Sequence, residues 1–378
     1  MSRPTLCIIH EGIGEYNAIA KIAMADARLA LDNGWDVSCV AKRLDEDLAK
    51  RVTWLPLYVP PRLYFYKWVT ARRFIRKALG ERKFDVIHAH QPQVADLSDV
   101  FYCHFISRMS WERGCKDNRP GPRGLFMRMQ ERGILFAEDY FYRRWNPRTQ
   151  MLFDSETTRA DFALLYGEPP LAEALPSPMP PMNIAGAAER RTARESYFGP
   201  DFQRPVLGFL GGSIVRKGFL RLREAAAAEP QLQFLIGGSG SEQLPSSENV
   251  KTIGLVTDLN RFYAACDVLI VPSIYEPLGL VAFEAASRGV PVIATQEVGV
   301  LPHVAEFGVG VAWNPGTPLA SVVQQLLSRR DELPQAIERM EQSLGTEAYG
   351  RRLLKTYEKI LQAKNSRVPS ISAVAAGA

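Results

Sequence analysis

Long apolar runs are missing from this 378-residue chain. No stretch reaches the roughly 18 uncharged apolar residues that a membrane-spanning helix needs, so no such span is expected. Paired cysteines are missing too: Cys7, Cys39, Cys103, Cys115 and Cys266 show no C-x-x-C spacing. That argues against a disulfide scaffold or a thiolate zinc site and fits a reducing cytoplasm. The strand-like Thr5–Ile9 has neither the basic lead nor the long apolar segment of a signal peptide, and none is expected. A dinucleotide fingerprint is incomplete. In Gly12-Ile-Gly14-Glu-Tyr-Asn17 the third glycine is absent, and the second strand ends in Lys42-Arg43 where an acidic residue would hold a ribose. NAD is therefore not expected, while an NADP site is left open. No nucleic-acid-binding module is present either.

What remains is the composition of a globular protein, 46% apolar and 23% charged, and too long for one ordinary core. Two domains are expected. The net charge of +5 is concentrated: residues 62–83 carry eight Lys or Arg against Glu81 alone. This stretch interleaves cations with Tyr64, Phe65, Tyr66, Trp68 and Phe74. It fits either an anionic membrane surface or a helix packed on its own sheet with a solvated basic face. The arginine-rich stretch from Arg108 to Arg148 fits an acidic acceptor, or an insertion with ion pairs to Glu112, Glu131, Glu138 and Asp139.

Strand and helix patterns alternate twice. In the first half, Leu6–His10, Asp36–Ala41, Asp85–His88, Val100–His104 and Gln150–Phe153 read as strands, with helices over Asn17–Asn33 and Arg72–Leu79. Six prolines between Pro169 and Pro181 mark a linker. Beyond it, Val206–Leu210, Leu232–Ile236, Asn249–Ile253, Val268–Val271, Val292–Ala294 and Val309–Ala312 read as strands. The pattern predicts two Rossmann-like α/β domains, 1–178 and 183–345, facing each other across a cleft. An amphipathic helix at 349–364 would pack back on the first domain, and 365–378 would form a frayed tail.

The chemistry concentrates in Ser-Ile-Tyr-Glu276-Pro-Leu278-Gly279-Leu280-Val-Ala-Phe-Glu284. A buried-strand pattern runs into a glycine turn and a helix start, which makes an anion site of free N–H groups and the dipole's positive end. Two carboxylates beside a phosphate site are awkward unless they accept from hydroxyl groups, and phosphate with hydroxyls describes a nucleotide sugar. Taken alone, they would be a helix-terminal carboxylate and an exposed one. Gly211-Gly212-Ser-Ile-Val-Arg216-Lys217-Gly218 supplies two cations beside glycines, suited to a pyrophosphate leaving group or to a plain surface turn. Gly237-Gly238-Ser-Gly240, Gly254-Leu-Val256 and Gln296-Glu297-Val-Gly299 follow other strands and would line the same cleft.

In order and spacing, Arg216-Lys217-Gly218, Gly238-Ser-Gly240, Glu276-x7-Glu284 and Arg288-Gly-Val-Pro291-Val-Ile-Ala294 resemble glycosyltransferase family 4, retaining enzymes of the GT-B fold. The first half resembles it more loosely, through Gly12-x-Gly14, Asp85-Val-Ile-His-Ala-His90 and Cys103-His104. The resemblance implies that Glu284 holds ribose hydroxyls, Glu276 faces the donor sugar, and Arg216 and Lys217 clamp the phosphates. It implies that the amides of Gly279 and Leu280 complete the anion site beside Leu278, Gly212 and Gly238. Val256 would contact the base, Gly14 would lie under the donor sugar and acceptor, and His104 would stand at the reaction centre. The family arginine that directly follows the first-strand glycine is replaced here by Gly212, with Arg216 standing in from the loop.

His88 and His90 share one strand face without a neighbouring Asp or Cys cluster in sequence, so no metal is expected. No cofactor beyond the nucleotide-sugar donor, UDP-linked on this reading, is expected. The implied partners are that donor and a hydroxyl acceptor on a glycan or glycolipid, with a cytoplasmic, peripherally membrane-associated location. A GT-B sugar-nucleotide epimerase and a non-catalytic nucleotide-sugar-binding protein stay open as alternatives.

Overall fold

The computed structural model describes residues 3–58, 64–116, 120–212, 215–241 and 247–366. Arg62 and Leu63 of the basic stretch, Ser213 and Ile214 of the glycine loop, and 367–378 of the expected tail lie outside them.

The first half supplies β1 (Thr5–Ile9), β2 (Gly12–Ile13), β3 (Asp36–Ala41), β4 (Arg43–Leu44), β5 (Thr53–Pro56), β6 (Val86–Ala89), β7 (Val100–Cys103), β8 (Gln150–Phe153) and β9 (Ala172–Ala174). The second supplies β10 (Val206–Leu210), β11 (Gln233–Gly237), β12 (Val250–Thr252), β13 (Val268–Val271), β14 (Val292–Ala294) and β15 (Gly310–Ala312). One sheet runs β5-β3-β1-β6-β7-β8-β9 and the other β12-β11-β10-β13-β14-β15, with parallel pairing throughout. β2 and β4 form a separate short pair. Chain order reverses between β1 and β6, and again between β10 and β13. At such reversals adjacent loops diverge and open a crevice at the carboxyl ends of the strands.

Both sheets are buried on both faces. Leu6, Ile8, Val37 and Cys39 face one layer of the first sheet, and Cys7, Ile9 and Val40 face the other. In the second sheet Leu235 and Leu269 face one layer, Phe234 and Ile270 the other. This is why these strands read as unbroken apolar runs. The helix Ala18–Asp32 starts where the Asn17 side chain accepts the Ala20 N–H at 2.9 Å. Asn17 is thus a helix cap at the position where a dinucleotide fold would have glycine.

Three elements depart from the sequence reading. The helix expected from Arg72 begins at Tyr64, two turns earlier. β5 and β9 have no counterpart among the strands expected from the sequence, because prolines flank or end them. Both are edge strands, where an absent N–H is tolerated. β9 lies inside the proline-rich linker, pairing with β8 between Pro170 and Pro176. In the arginine-rich stretch Arg108 does pair with Asp139, but Glu138 makes no ion pair among the described residues. Its buried carboxylate accepts the Ser107 and Arg108 backbone N–H groups at 2.7 and 2.8 Å, at the start of the helix Ser107–Glu112. Burial raises its pKa to about 7, against the lowering effect of those bonds.

The helix Thr346–Asn365 returns to the first domain, where Tyr349, Leu353 and Tyr357 join the core beside Leu6 and Val86. The linker and this return run side by side, with the Met179 N–H donating to the Leu344 carbonyl at 2.8 Å. Among the described residues no helix is long and apolar enough to cross a membrane.

Candidate functional site

The loops that follow β10 and β13 meet at the second domain's reversal point. Gly218 sits in the left-handed region at φ 74°, and a Cβ there would overlap the Pro272 carbonyl. The close approach lets the Ile274 N–H donate to the Arg216 carbonyl at 2.8 Å, which fixes Arg216 and Lys217 beside Glu276. One oxygen of Glu276 lies 2.6 Å from Lys217 Nζ and 2.9 Å from Arg216 Nη1. Arg216 also donates to the Tyr275 carbonyl at 3.0 Å. Burial alone would raise the Glu276 pKa, but the two cations outweigh it and the carboxyl ends below its ordinary value.

Three residues on, Gly279 takes φ 96° and opens the helix Leu280–Ser287 with no side-chain cap. The first-turn N–H groups of a helix have no intrahelical acceptor, so they and the dipole face outward here. A Cβ on Gly279 would lie 3.4 Å from Glu276 Cγ. Two cations, one carboxylate and a helix N-terminus within one corner leave an excess of positive potential. The arrangement can take an anion with several oxygens.

The other candidates divide. Glu284, half-buried on the helix Leu280–Ser287, accepts from the hydroxyl of Tyr263, on the helix Leu259–Ala265, at 3.0 Å. Gly238 is a close-approach position, since a Cβ there would overlap the backbone of Gly211, and its N–H donates to the Gly254 carbonyl at 2.7 Å. Gly212, next to Gly211, would bring a Cβ to 3.7 Å from the Ser239 carbonyl oxygen, an ordinary contact. Val256 packs across Gly237, and Leu278 is buried in the domain core. Gly14 lies under the Tyr16 ring and does not line the main cavity; His10, Glu11 and Gly12 do.

That cavity, about 760 Å³, is built from first-domain residues and reaches His10, His90, His104 and Cys115. The cation corner borders it across the domain junction. Phe105, next to His104, packs edge-on against Tyr275, next to Glu276, with ring centroids 5.3 Å apart. Arg216 lies 5.6 Å from the centre of the Phe105 ring. The Tyr275 hydroxyl accepts the Ile106 N–H at 3.3 Å. A second junction joins Ser155, whose hydroxyl donates to the Pro277 carbonyl at 2.5 Å.

His104 is held on both nitrogens. Nδ1 lies 3.2 Å from each oxygen of Asp154, and Nε2 lies 2.9 Å from His90 Nδ1. Beyond His90 stands Asp26, a carboxylate that the sequence reading did not bring to the histidine pair. Asp26, His88 and His90 each offer a buried donor atom within 4.8 Å of the others, an arrangement that could hold a metal ion. Asp26 also accepts from the Tyr349 hydroxyl at 2.8 Å, and His88 Nδ1 meets the Tyr357 hydroxyl at 2.7 Å. The signal for Asp26 was in the sequence. It stands one turn from Ala23 and Ala30, a lone charge on the alanine-rich face of its helix.

Residues 204–329 match the family model described as glycosyl transferases group 1. This segment holds Arg216, Lys217, Glu276 and Glu284. Over 171 residues the chain is 28% identical to the lipopolysaccharide core biosynthesis glycosyltransferase LpsE of Rhizobium meliloti, covering 42% of this chain and 50% of LpsE. Over 330 residues it is 25% identical to the D-inositol 3-phosphate glycosyltransferase of Kineococcus radiotolerans, covering 75% and 73%. The chain thus spans only half the length of the first of these relatives. The sucrose-phosphate synthase of Thermosynechococcus elongatus superposes with a TM-score of 0.73 at 18% identity, covering 96% of this chain and all of that one. Anabaena HepE, solved with UDP and glucose, gives 0.65 at 14%, covering 93% and 99%. The fold is GT-B, as the resemblance implied.

Proposed function

We propose that this protein is a retaining glycosyltransferase of family 4. It moves a sugar from a nucleotide donor, UDP-linked on our reading, to a hydroxyl of a glycan or glycolipid. The observation that carries this is the convergence of Arg216 and Lys217 on Glu276 at the uncapped start of the helix Leu280–Ser287. Breaking a glycosyl–phosphate bond requires charge to be stabilised on the departing diphosphate. Fixed cations and backbone N–H groups do this without reorganising. Glu284 would accept from the ribose, and Glu276 would orient the sugar. His104, across the junction with its ring held by Asp154 and His90, would stand against the sugar or the acceptor, which the first-domain cavity would receive. The match to the glycosyl transferases group 1 model supports the reaction class, and the UDP bound by the similarly folded HepE supports the choice of donor to test first.

A thermal-shift panel of UDP, GDP, ADP and their sugars tests the donor. A ligand at a hundredfold excess over Kd stabilises by about 2.7 kcal/mol. Lys217→Ala is expected to cut transfer a hundredfold or more with the fold retained, by analogy with loss of one oxyanion donor. Near-normal transfer would refute the leaving-group role. A UDP-sugar converted with no acceptor present would favour an epimerase.

We also assign the first domain a peripheral contact with anionic membranes. Tyr66 and Val69 on the helix Tyr64–Leu79 are exposed. So are Leu125, Phe126, Met129 and Phe136 on the adjoining helix Gly121–Tyr142, which carries Arg123, Arg128 and Arg132. Apolar side chains among cations match a lipid headgroup boundary. Flotation with anionic but not with zwitterionic vesicles is expected; equal recovery with both would refute the assignment.

A further inference from the structure

A buried row of polar side chains runs from the returning C-terminal helix to the edge of the first-domain cavity. Its members, in order, are Tyr349, Asp26, His90, His104 and Asp154. The Tyr349 hydroxyl donates to Asp26 Oδ1 at 2.8 Å; Asp26 Oδ2 lies 3.4 Å from His90 Nε2. His90 Nδ1 meets His104 Nε2 at 2.9 Å, and His104 Nδ1 faces both Asp154 oxygens at 3.2 Å. The Ser177 hydroxyl donates to Asp154 at 3.2 Å and closes that end. His90 cannot turn freely, being wedged between the His88 ring, 4.4 Å away, and His104, stacked at 5.2 Å.

The hydrogens follow from the partners. Asp154 requires a hydrogen on His104 Nδ1, which leaves Nε2 of a neutral ring as the acceptor of His90 Nδ1–H. His90 Nε2 is then an acceptor as well, so the row closes only with one further hydrogen held between it and Asp26 Oδ2. That gap is the longest in the row, and both of its atoms are buried without a hydrogen-bond partner. We propose that Asp26, fixed by Tyr349, is a positioning residue that holds His90 and through it sets the tautomer and ring orientation of His104. This rests on His104 standing at the reaction centre, as proposed above.

An amide at position 26 would fit the row. Asn Oδ1 would accept from Tyr349, and its N–H would fill the gap to His90 Nε2. Asp26→Asn is therefore expected to keep kcat within about twofold. Asp26→Ala is expected to lower kcat about tenfold, with the donor KM little changed. Selective ¹⁵N-histidine labelling reads the row without any turnover, and the chain has only five histidines. Wild type and Asp26→Asn should show His104 as the Nδ1–H form; Asp26→Ala should show mixed tautomers. If Asp26→Ala does not fold, Tyr349→Phe removes only a hydroxyl and should broaden or split the His104 signals. An unchanged His104 spectrum in Asp26→Ala and in Tyr349→Phe overturns the proposal. So does an Asp26→Asn protein as impaired as Asp26→Ala, because the carboxylate charge, and not the hydrogen-bonded row, would then be what matters. Absence of transfer with every nucleotide sugar would sink the proposed function, while the spectra would still decide the row.

Discussion

The carboxylate of Glu276 bridges two cations, 2.6 Å from Lys217 Nζ and 2.9 Å from Arg216 Nη1. A diphosphate brought to this corner competes with Glu276 for the same charges. Removing the carboxylate charge should then strengthen product binding while it weakens turnover. Glu276→Gln is expected to tighten UDP about tenfold, or about 1.4 kcal/mol, by calorimetry. It should also lower transfer at least as far. Weaker UDP binding in this variant would mean that Glu276 supports the phosphates indirectly, by holding the cations in place.

Glu284 lies on the same helix as the anion corner, one oxygen bonded to the Tyr263 hydroxyl at 3.0 Å. As a ribose acceptor it should discriminate sugars, not phosphates. Hydrogen bonds to charged groups contribute about 1.5–3 kcal/mol. Glu284→Gln is expected to weaken UDP by tenfold or more and leave dUDP nearly unaffected. Equal losses for both nucleotides would remove Glu284 from the ribose.

The junction at Ser155 depends on a glycine. A Cβ on Gly299 would overlap the Pro277 carbonyl and crowd the Ser155 hydroxyl, so the domains could not meet there as they do. Gly299→Ala is expected to raise the donor KM severalfold and to enlarge the radius of gyration in solution scattering. Unaltered scattering and kinetics would show that the contact is dispensable.

His10 is buried, its Nδ1 bonded to the Gly12 carbonyl at 2.6 Å. Burial lowers its pKa to about 4, overriding that bond, with His90 and His104 adding to the depression. Burial likewise lowers His88 and His90. A histidine whose folded pKa lies below its unfolded value of 6.5 contributes stability in full above that value. The contribution is lost as pH falls toward the folded pKa. His10 alone accounts for at most about 3 kcal/mol of that loss. The melting temperature should fall steadily from pH 6.5 to pH 4, and His10→Gln should flatten the slope. A flat wild-type profile over that range would contradict the buried, neutral state of these rings.

Much of this was legible in the chain, for identifiable reasons. Strands buried on both faces, such as Val268–Val271, announce themselves as short apolar runs, and Asn17 announces a helix start. Edge strands β5 and β9 were not legible, because their prolines mimic loop signals and only the neighbouring strand supplies their partners. Glu276, Arg216 and Lys217 could each be singled out. That one carboxylate oxygen binds both cations depends on the left-handed turn at Gly218 and the close passage of Pro272. Asp26 shows the opposite failure. Its helical position was readable, yet its meaning came from His90 and Tyr349, distant in sequence and joined only by the fold. Glu138 stood among the expected ion-pair partners because composition does not tell a buried helix cap from an ion-pair partner.

Met179 and Leu344 are hydrogen-bonded neighbours, so the polypeptide passes between its two lobes twice at one place. A single tether would let the lobes twist about it. A pair of zipped tethers acts like the spine of a book, permitting opening and shutting about one line and resisting shear. The crossing at Leu344 and Gly345 is consequently the second of the two, and cutting it would leave the lobes joined by the linker alone.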